Sequence, residues 1–171
     1  MSANSSATHS YRNPNAAPGT VAINAAFFEE IKEAHHEVDA FIKRIMGLGQ
    51  RSDWTESVCQ EFVGNLDRLV ELVRSYFVLE ETYGYFEDPV FVGAAYSQRV
   101  SDLRAEHKSL LAEINQLSDH AARLLYNGRL PHSANTILAR FGVFCDQLER
   151  HEFRERELIT EGFSVDLGCG D

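Results

Sequence analysis

Four stretches of this sequence repeat apolar residues with a helical period over more than twenty positions each, and that pattern leaves few folds open. From about Ala25 to Leu48, Phe28, Ile31, Val38, Ile42 and Ile45 fall on one helical face. Gly47 and Gly49 close this segment. Asp53, with Glu56 three residues on, reads as a capping box opening a second helix, whose face carries Val58, Phe62, Leu66, Leu69 and Val73 and which ends near Gly84. Pro89 falls in the loop that follows. A third segment runs from about Val92 to Tyr126, with Val100, Leu103, Leu111, Ile114 and Leu125 on one side, and Asn127-Gly128 stops it. Ser133 reads as the cap of a fourth helix bearing Ile137, Phe141, Phe144, Leu148 and Ile159, which ends at the Glu161-Gly162 step.

Helices of this length span roughly 36 to 52 Å at the α-helical rise. Their connections are short, so neighbours should run antiparallel. The expectation is an all-α, up-down-up-down antiparallel four-helix bundle. The 171 residues suffice for one such domain, placed at 21–165. Residues 1–20 are rich in Ser, Asn, Ala and Pro without periodicity, which predicts a disordered N-terminal tail, and 166–171 form a short C-terminal tail.

Charge excludes partners more than it names one. With 26 acidic against 16 basic residues the formal net charge is −10, a surface that repels phosphate backbones and anionic lipid. Neither nucleic acid nor a membrane surface is expected as a partner. Cys59, Cys145 and Cys169 are isolated, with no CxxC pair, so neither a disulfide framework nor a thiolate zinc site is indicated. Together with the lack of a signal-like apolar run in residues 1–20, this predicts a cytoplasmic protein.

The informative residues are ionisable ones on the apolar faces, because burying them costs several kcal/mol unless something pairs with them. At about 100° per residue, His35 lies roughly 40° from Ile31, whereas His36 points about 140° away. Glu80 falls on the Phe62 face with Tyr76 one turn before it. His107 lies between Val100 and Ile114 on a seven-residue ladder, and His151 and Glu155 continue the Phe144–Leu148 face. Each helix thus turns at least one potential metal ligand inward, at depths that permit convergence. A lone inward histidine is more often a hydrogen-bonded core residue; three with two carboxylates fit that account poorly. A mixed His/Glu set without thiolate suits iron or manganese. The ferritin-like carboxylate pattern needs a Glu-x-x-His on each of two helices, and here only Glu33-x-x-His36 has that spacing, with its histidine outward.

The segments EAHHEVDAFI (33–42), YFVLEETYGYF (76–86), RAEHKSLLAEI (104–114) and LERHEFRERELI (148–159) resemble, in order, the four helices of the hemerythrin-like (HHE cation-binding) family. That family places a His on the first helix, His-x-x-x-Glu on the second, a His on the third, and on the fourth a His followed by a carboxylate four or five residues later. The resemblance implies His35, Glu80, His107, His151 and Glu155 as metal ligands and a non-haem di-iron centre that meets oxygen or peroxide. Two positions depart from it. Tyr76 replaces the second-helix histidine, and Leu111 stands where oxygen-carrying members have an extra one. Tyr76 is then either a core aromatic or a ligand whose phenol a bound cation ionises.

A site poorer in nitrogen favours ferric iron and argues against reversible oxygen carriage. What the resemblance implies here is a protein that reacts with or senses oxygen or peroxide, with catalase- or peroxidase-like turnover as one form. The alternative is a non-catalytic iron-binding or interaction module. Glu81 and Glu152 adjoin the expected ligands and read either as partners of ligand N–H groups or as solvated charge.

Overall fold

The structure, a computed structural model, describes residues 25–83 and 94–167. The expected tail at 1–20, the Gly84 and Pro89 region between the second and third helices, and residues 168–171 lie outside the described residues.

Four helices make up most of the described residues: α1 (Ala25–Gly49), α2 (Glu56–Tyr83), α3 (Ala94–Tyr126) and α4 (Leu130–Leu167). They form the antiparallel up-down-up-down bundle: α1 packs on α2, α2 on α3 and α3 on α4, while α4 closes on α1 along a thinner seam. Among the described residues no helix is long and apolar enough to cross a membrane.

Local chemistry sets the helix ends, and it differs from expectation at three of them. The cap of α2 is Thr55, whose Oγ1 accepts from Val58 N–H at 3.4 Å while its carbonyl accepts from Cys59 N–H at 2.9 Å. Asp53 instead pairs with Arg51 through two bonds of 3.0 and 2.9 Å, and that guanidinium holds its carboxyl below the usual range. Helix α4 begins at Leu130, three residues before Ser133. Pro131 is tolerated there because first-turn N–H groups have no intrahelical acceptor. At its other end α4 runs on through Asp166 and Leu167, past the expected stop. The end of α3 is as expected: Gly128 takes φ +65°, Gly128 N–H donates to Leu125 O at 2.9 Å and Arg129 N–H to Leu124 O at 2.8 Å. Only glycine adopts that left-handed conformation without strain, so α3 stops within two residues.

Among the described residues the core forms two apolar clusters of unequal size. The large one is built around Phe62, Leu66, Leu69, Ile114, Ile137, Phe141 and Phe144. Burial of each such side chain contributes about 1.5–3 kcal/mol. Cys59 is fully buried in it and Cys145 packs against it, its thiol pushed up to about 12 by burial, so both behave as small apolar residues. The small cluster is Val100, Leu103 and Leu158, with Tyr96 against it. On α4 the buried position is Leu158, while Ile159 is only half-buried. A polar layer separates the two clusters: His107 comes between Leu103 and Leu110 on α3, and His151 and Glu155 come between Leu148 and Leu158 on α4.

Candidate metal centre

Within that layer four of the expected residues converge. Glu80, His107, His151 and Glu155 each offer one donor atom, and these atoms all lie within 4.8 Å of one another. All four are buried, from 0% exposure at His151 to 3% at Glu155. Nε2 of His107 stands 3.3 Å from Glu155 Oε1 and 3.4 Å from Glu80 Oε2, and Nε2 of His151 stands 3.2 Å from the same Glu155 oxygen.

The imidazoles are held from outside as well as within. His107 Nδ1–H donates to Glu81 Oε1 at 2.9 Å, and His151 Nδ1–H donates to Glu106 Oε2 at 2.9 Å. Glu106 is itself gripped by both terminal nitrogens of Arg154, at 2.5 and 2.6 Å. With Nδ1 engaged outward, each ring turns Nε2 into the centre, the tautomer and orientation a metal ligand requires. Phe77 stacks flat on His107, ring centroids 4.0 Å apart, and meets His151 edge-on at 5.8 Å, which fixes both ring planes.

The electrostatics are those of a site short of positive charge. Burial raises the Glu80 pKa well above the usual carboxylate range, and the charge on Glu155 adds to the shift. Burial also disfavours the Glu155 carboxylate, yet the bond with His107 and the nearby His151 imidazole outweigh it and leave its pKa lowered. At His151 desolvation opposes the imidazolium, but Glu155 and Glu106 prevail and its pKa is raised. Two buried atoms, Glu80 Oε2 and His151 Nε2, make no well-directed hydrogen bond, although they lie 3.4 Å from His107 Nε2 and 3.2 Å from Glu155 Oε1 respectively. A buried polar atom left unsatisfied costs about 1–3 kcal/mol.

These features meet the requirements of a metal ion. Donors bound at about 2.1 Å to one ion stand roughly 3.0–3.4 Å apart, which the three contacts of 3.2–3.4 Å match within a set that spans up to 4.8 Å. A cation would satisfy both orphaned atoms and remove the repulsion between Glu80 and Glu155. The arrangement is a buried cluster of two histidines and two glutamates capable of chelating a metal ion.

His35 and Tyr76 stand beside this set. Tyr76 is 4% exposed, its ring centroid 5.8 Å from that of His35, and its hydroxyl lies within hydrogen-bonding reach of the Glu80 carboxyl. Burial, with the charges of Glu80 and Glu155, pushes its phenol strongly up. His35 is 29% exposed and its Nε2 lies 3.1 Å from Glu152 Oε1, a contact that raises its pKa against the opposing effect of burial. His36 is exposed, as its angle predicts.

Three residues that orient the histidines are not singled out by the sequence: Glu106, Arg154 as its clamp, and Phe77. A signal exists, since a glutamate adjoins Glu80, His107 and His151 in sequence. Glu81 binds a histidine rather than being solvated charge alone. Each outer carboxylate serves the histidine of the next helix and not its own neighbour, which spacing cannot reveal.

Comparison of the chain with protein-family models, curated proteins and solved structures gives no match. The four-helix bundle with its clustered pair of histidines and pair of glutamates is consistent with a hemerythrin-like domain.

Proposed function

We propose that this chain is a non-haem di-iron protein of the hemerythrin-like kind, which reacts with or senses oxygen or peroxide. The observation that carries the reading is the pair of orphaned buried atoms, Glu80 Oε2 and His151 Nε2, inside a four-donor set of nitrogen and oxygen without sulfur. Imidazole and carboxylate together suit iron, which would supply redox electrons and a coordination position for a small oxidant.

The ligand set proposed is His35, Tyr76, Glu80, His107, His151 and Glu155. Glu81 and Glu106 hold the two core imidazoles in their metal-facing tautomers, and the apolar clusters on either side exclude water. Tyr76 donates its hydroxyl proton toward Glu80 when no cation is present and gives it up when one is. A phenolate at that position stabilises the ferric state, which favours oxidant chemistry over reversible oxygen carriage.

The test is metal analysis and a visible spectrum of protein purified without added metal, followed by peroxide addition. Bound iron, a phenolate charge-transfer band lost in Tyr76→Phe, and peroxide consumption in proportion to iron are expected. A band that survives Tyr76→Phe removes Tyr76 from the ligand set. Iron without any peroxide turnover or spectral response leaves the second reading, a non-catalytic iron-binding module. The near-complete burial of the four donors favours that reading, because a substrate must find a way in.

A further inference from the structure

The outer face of α4 carries a group of side chains that the metal reading does not absorb. Glu149, Arg150, Phe153, Arg154 and Arg156 line a cleft of about 670 Å³, a volume within the range of small-molecule sites. Phe153 is 54% exposed, whereas Phe62, Phe77, Phe141 and Phe144 are all buried. It lies about 160° around the helix from His151, so its ring faces water. Arg150 and Arg156 each fall about 60° from Phe153, on opposite sides, about 4.5 Å before and after it along the axis. We propose that this cleft binds a planar aromatic monoanion, its ring laid on Phe153 and its acidic group held by Arg150 or Arg156. The proposal is independent of the metal reading.

Charge selects the class of ligand. On a chain of net charge −10, three of the five lining residues are arginines. Arg154 is already committed, since both its terminal nitrogens grip Glu106 and its Nε–H donates to Arg150 O at 3.2 Å. Among the described residues no carboxylate pairs with the guanidinium of Arg150 or Arg156. Two unmatched positive charges then face the one negative charge of Glu149, and the cleft keeps a single net positive charge. A monoanion neutralises that charge, while a dianion meets Glu149 as well. The side-chain types suit the same ligand: a guanidinium grips a carboxylate through parallel N–H bonds, and an exposed ring offers a flat face for stacking. Left empty, the cleft holds a large apolar ring in water beside two charges with nothing to match them.

The experiment is a calorimetric titration of the full chain with naphthoate at low salt. Three comparators run beside it: naphthamide keeps the ring without the charge, cyclohexanecarboxylate keeps the charge without the aromatic ring, and naphthalenedicarboxylate adds a second charge. One naphthoate per chain is expected, with each comparator at least about threefold weaker. Phe153→Ala, and Arg150→Ala combined with Arg156→Ala, should each weaken naphthoate about three- to tenfold. Phe153→Tyr, which keeps the ring, should stay within about twofold of wild type. Glu149→Gln should bring the dianion level with the monoanion. All four positions are exposed, so their replacement leaves the core alone, and far-ultraviolet circular dichroism checks that the bundle is intact. Absence of saturable binding overturns the proposal, as does equal binding of the neutral amide or an affinity unchanged in the Phe153→Ala and double arginine variants. A polyglutamate peptide that binds through these residues more tightly than naphthoate assigns the cleft to an acidic protein segment instead, and so overturns it too.

Discussion

The two sides of the polar layer differ in how far they are prepared for a ligand. On the α3–α4 side, His107 and His151 are 2% and 0% exposed, each tied by Nδ1 to an outer carboxylate, each with Nε2 turned inward, and both fixed by the Phe77 ring. On the α1 side, His35 is 29% exposed and its Nε2 is engaged by Glu152. The first side has its orientation built in before any ion arrives; the second must break a contact first. Preorganisation of this kind converts buried packing into affinity, and it leaves the protein with unsatisfied polar atoms when empty.

The sharpest way to break the comparison is Glu80→Gln. The substitution removes a charge that burial already disfavours, so the metal-free protein should gain roughly 1–3 kcal/mol in chemical denaturation. High-affinity metal binding should vanish at the same time. If Glu80→Gln destabilises the metal-free chain, the repulsion with Glu155 described above is not present.

Arg154→Ala comes next. It frees Glu106 to turn to solvent and leaves His151 without its outer clamp, and metal affinity measured by chelator competition should fall about 10–100-fold. Arg154→Lys should recover only part, because a single ammonium cannot grip both carboxylate oxygens. An unchanged affinity would show that Phe77 and packing alone orient the ring.

Acidity offers a third handle, with opposite signs for the two states. The raised pKa values of His35 and His151 give stability that is fully present below their ordinary 6.5 and is lost as pH rises through the folded values. Glu80, raised from 4.5, adds a penalty that grows as pH climbs above that value. Glu155, lowered from 4.5, contributes stability that is lost only as pH falls through its lowered value. From about pH 5 to pH 8 the melting temperature of the metal-free protein should therefore fall. The increment from added metal should rise over the same range, since ligands must lose protons to bind. Parallel melting curves with and without metal would contradict this.

The smallest effect belongs to Glu81→Gln. Among the described residues no Lys or Arg pairs with Glu81, which is 41% exposed, so its loss should weaken metal binding by only a few-fold, well short of Arg154→Ala. Equal losses in the two variants would mean that the Arg154 clamp is of no consequence.

Much of this is legible in the sequence because burial and period are coupled. Val58, Phe62, Leu66, Leu69 and Val73 announce the inner face of α2, and Glu80 on that same face can only be a ligand or an error of register. His107, His151 and Glu155 stand out likewise, as polar residues on apolar ladders. What stays hidden depends on the neighbouring helix. Glu106 points to the flank of α3 and looks solvated until α4 brings His151 and Arg154 against it. The start of α2 is ambiguous in sequence because two candidate caps, Asp53 and Thr55, lie close together, and side-chain pairing with Arg51 decides between them. At the end of α4 the buried residue is Leu158 and not Ile159, seven residues after His151, so the buried polar residues continue the heptad ladder that the aliphatic count alone misplaces by one.

The tight turn at Gly128 has a bearing on how the centre is measured out along the chain. Nineteen positions separate His107 from the last residue of α3, Tyr126, and twenty-one separate Leu130 from His151, so two arms of roughly 30 Å fold back from a common pivot. Because two backbone hydrogen bonds close this turn, the register of the arms is set there: one residue inserted in either arm would displace a histidine by about 1.5 Å and swing it by about 100°, out of the layer altogether. The spacing between these two imidazoles along the chain thus depends on a glycine far from them, at the turn that joins α3 to α4.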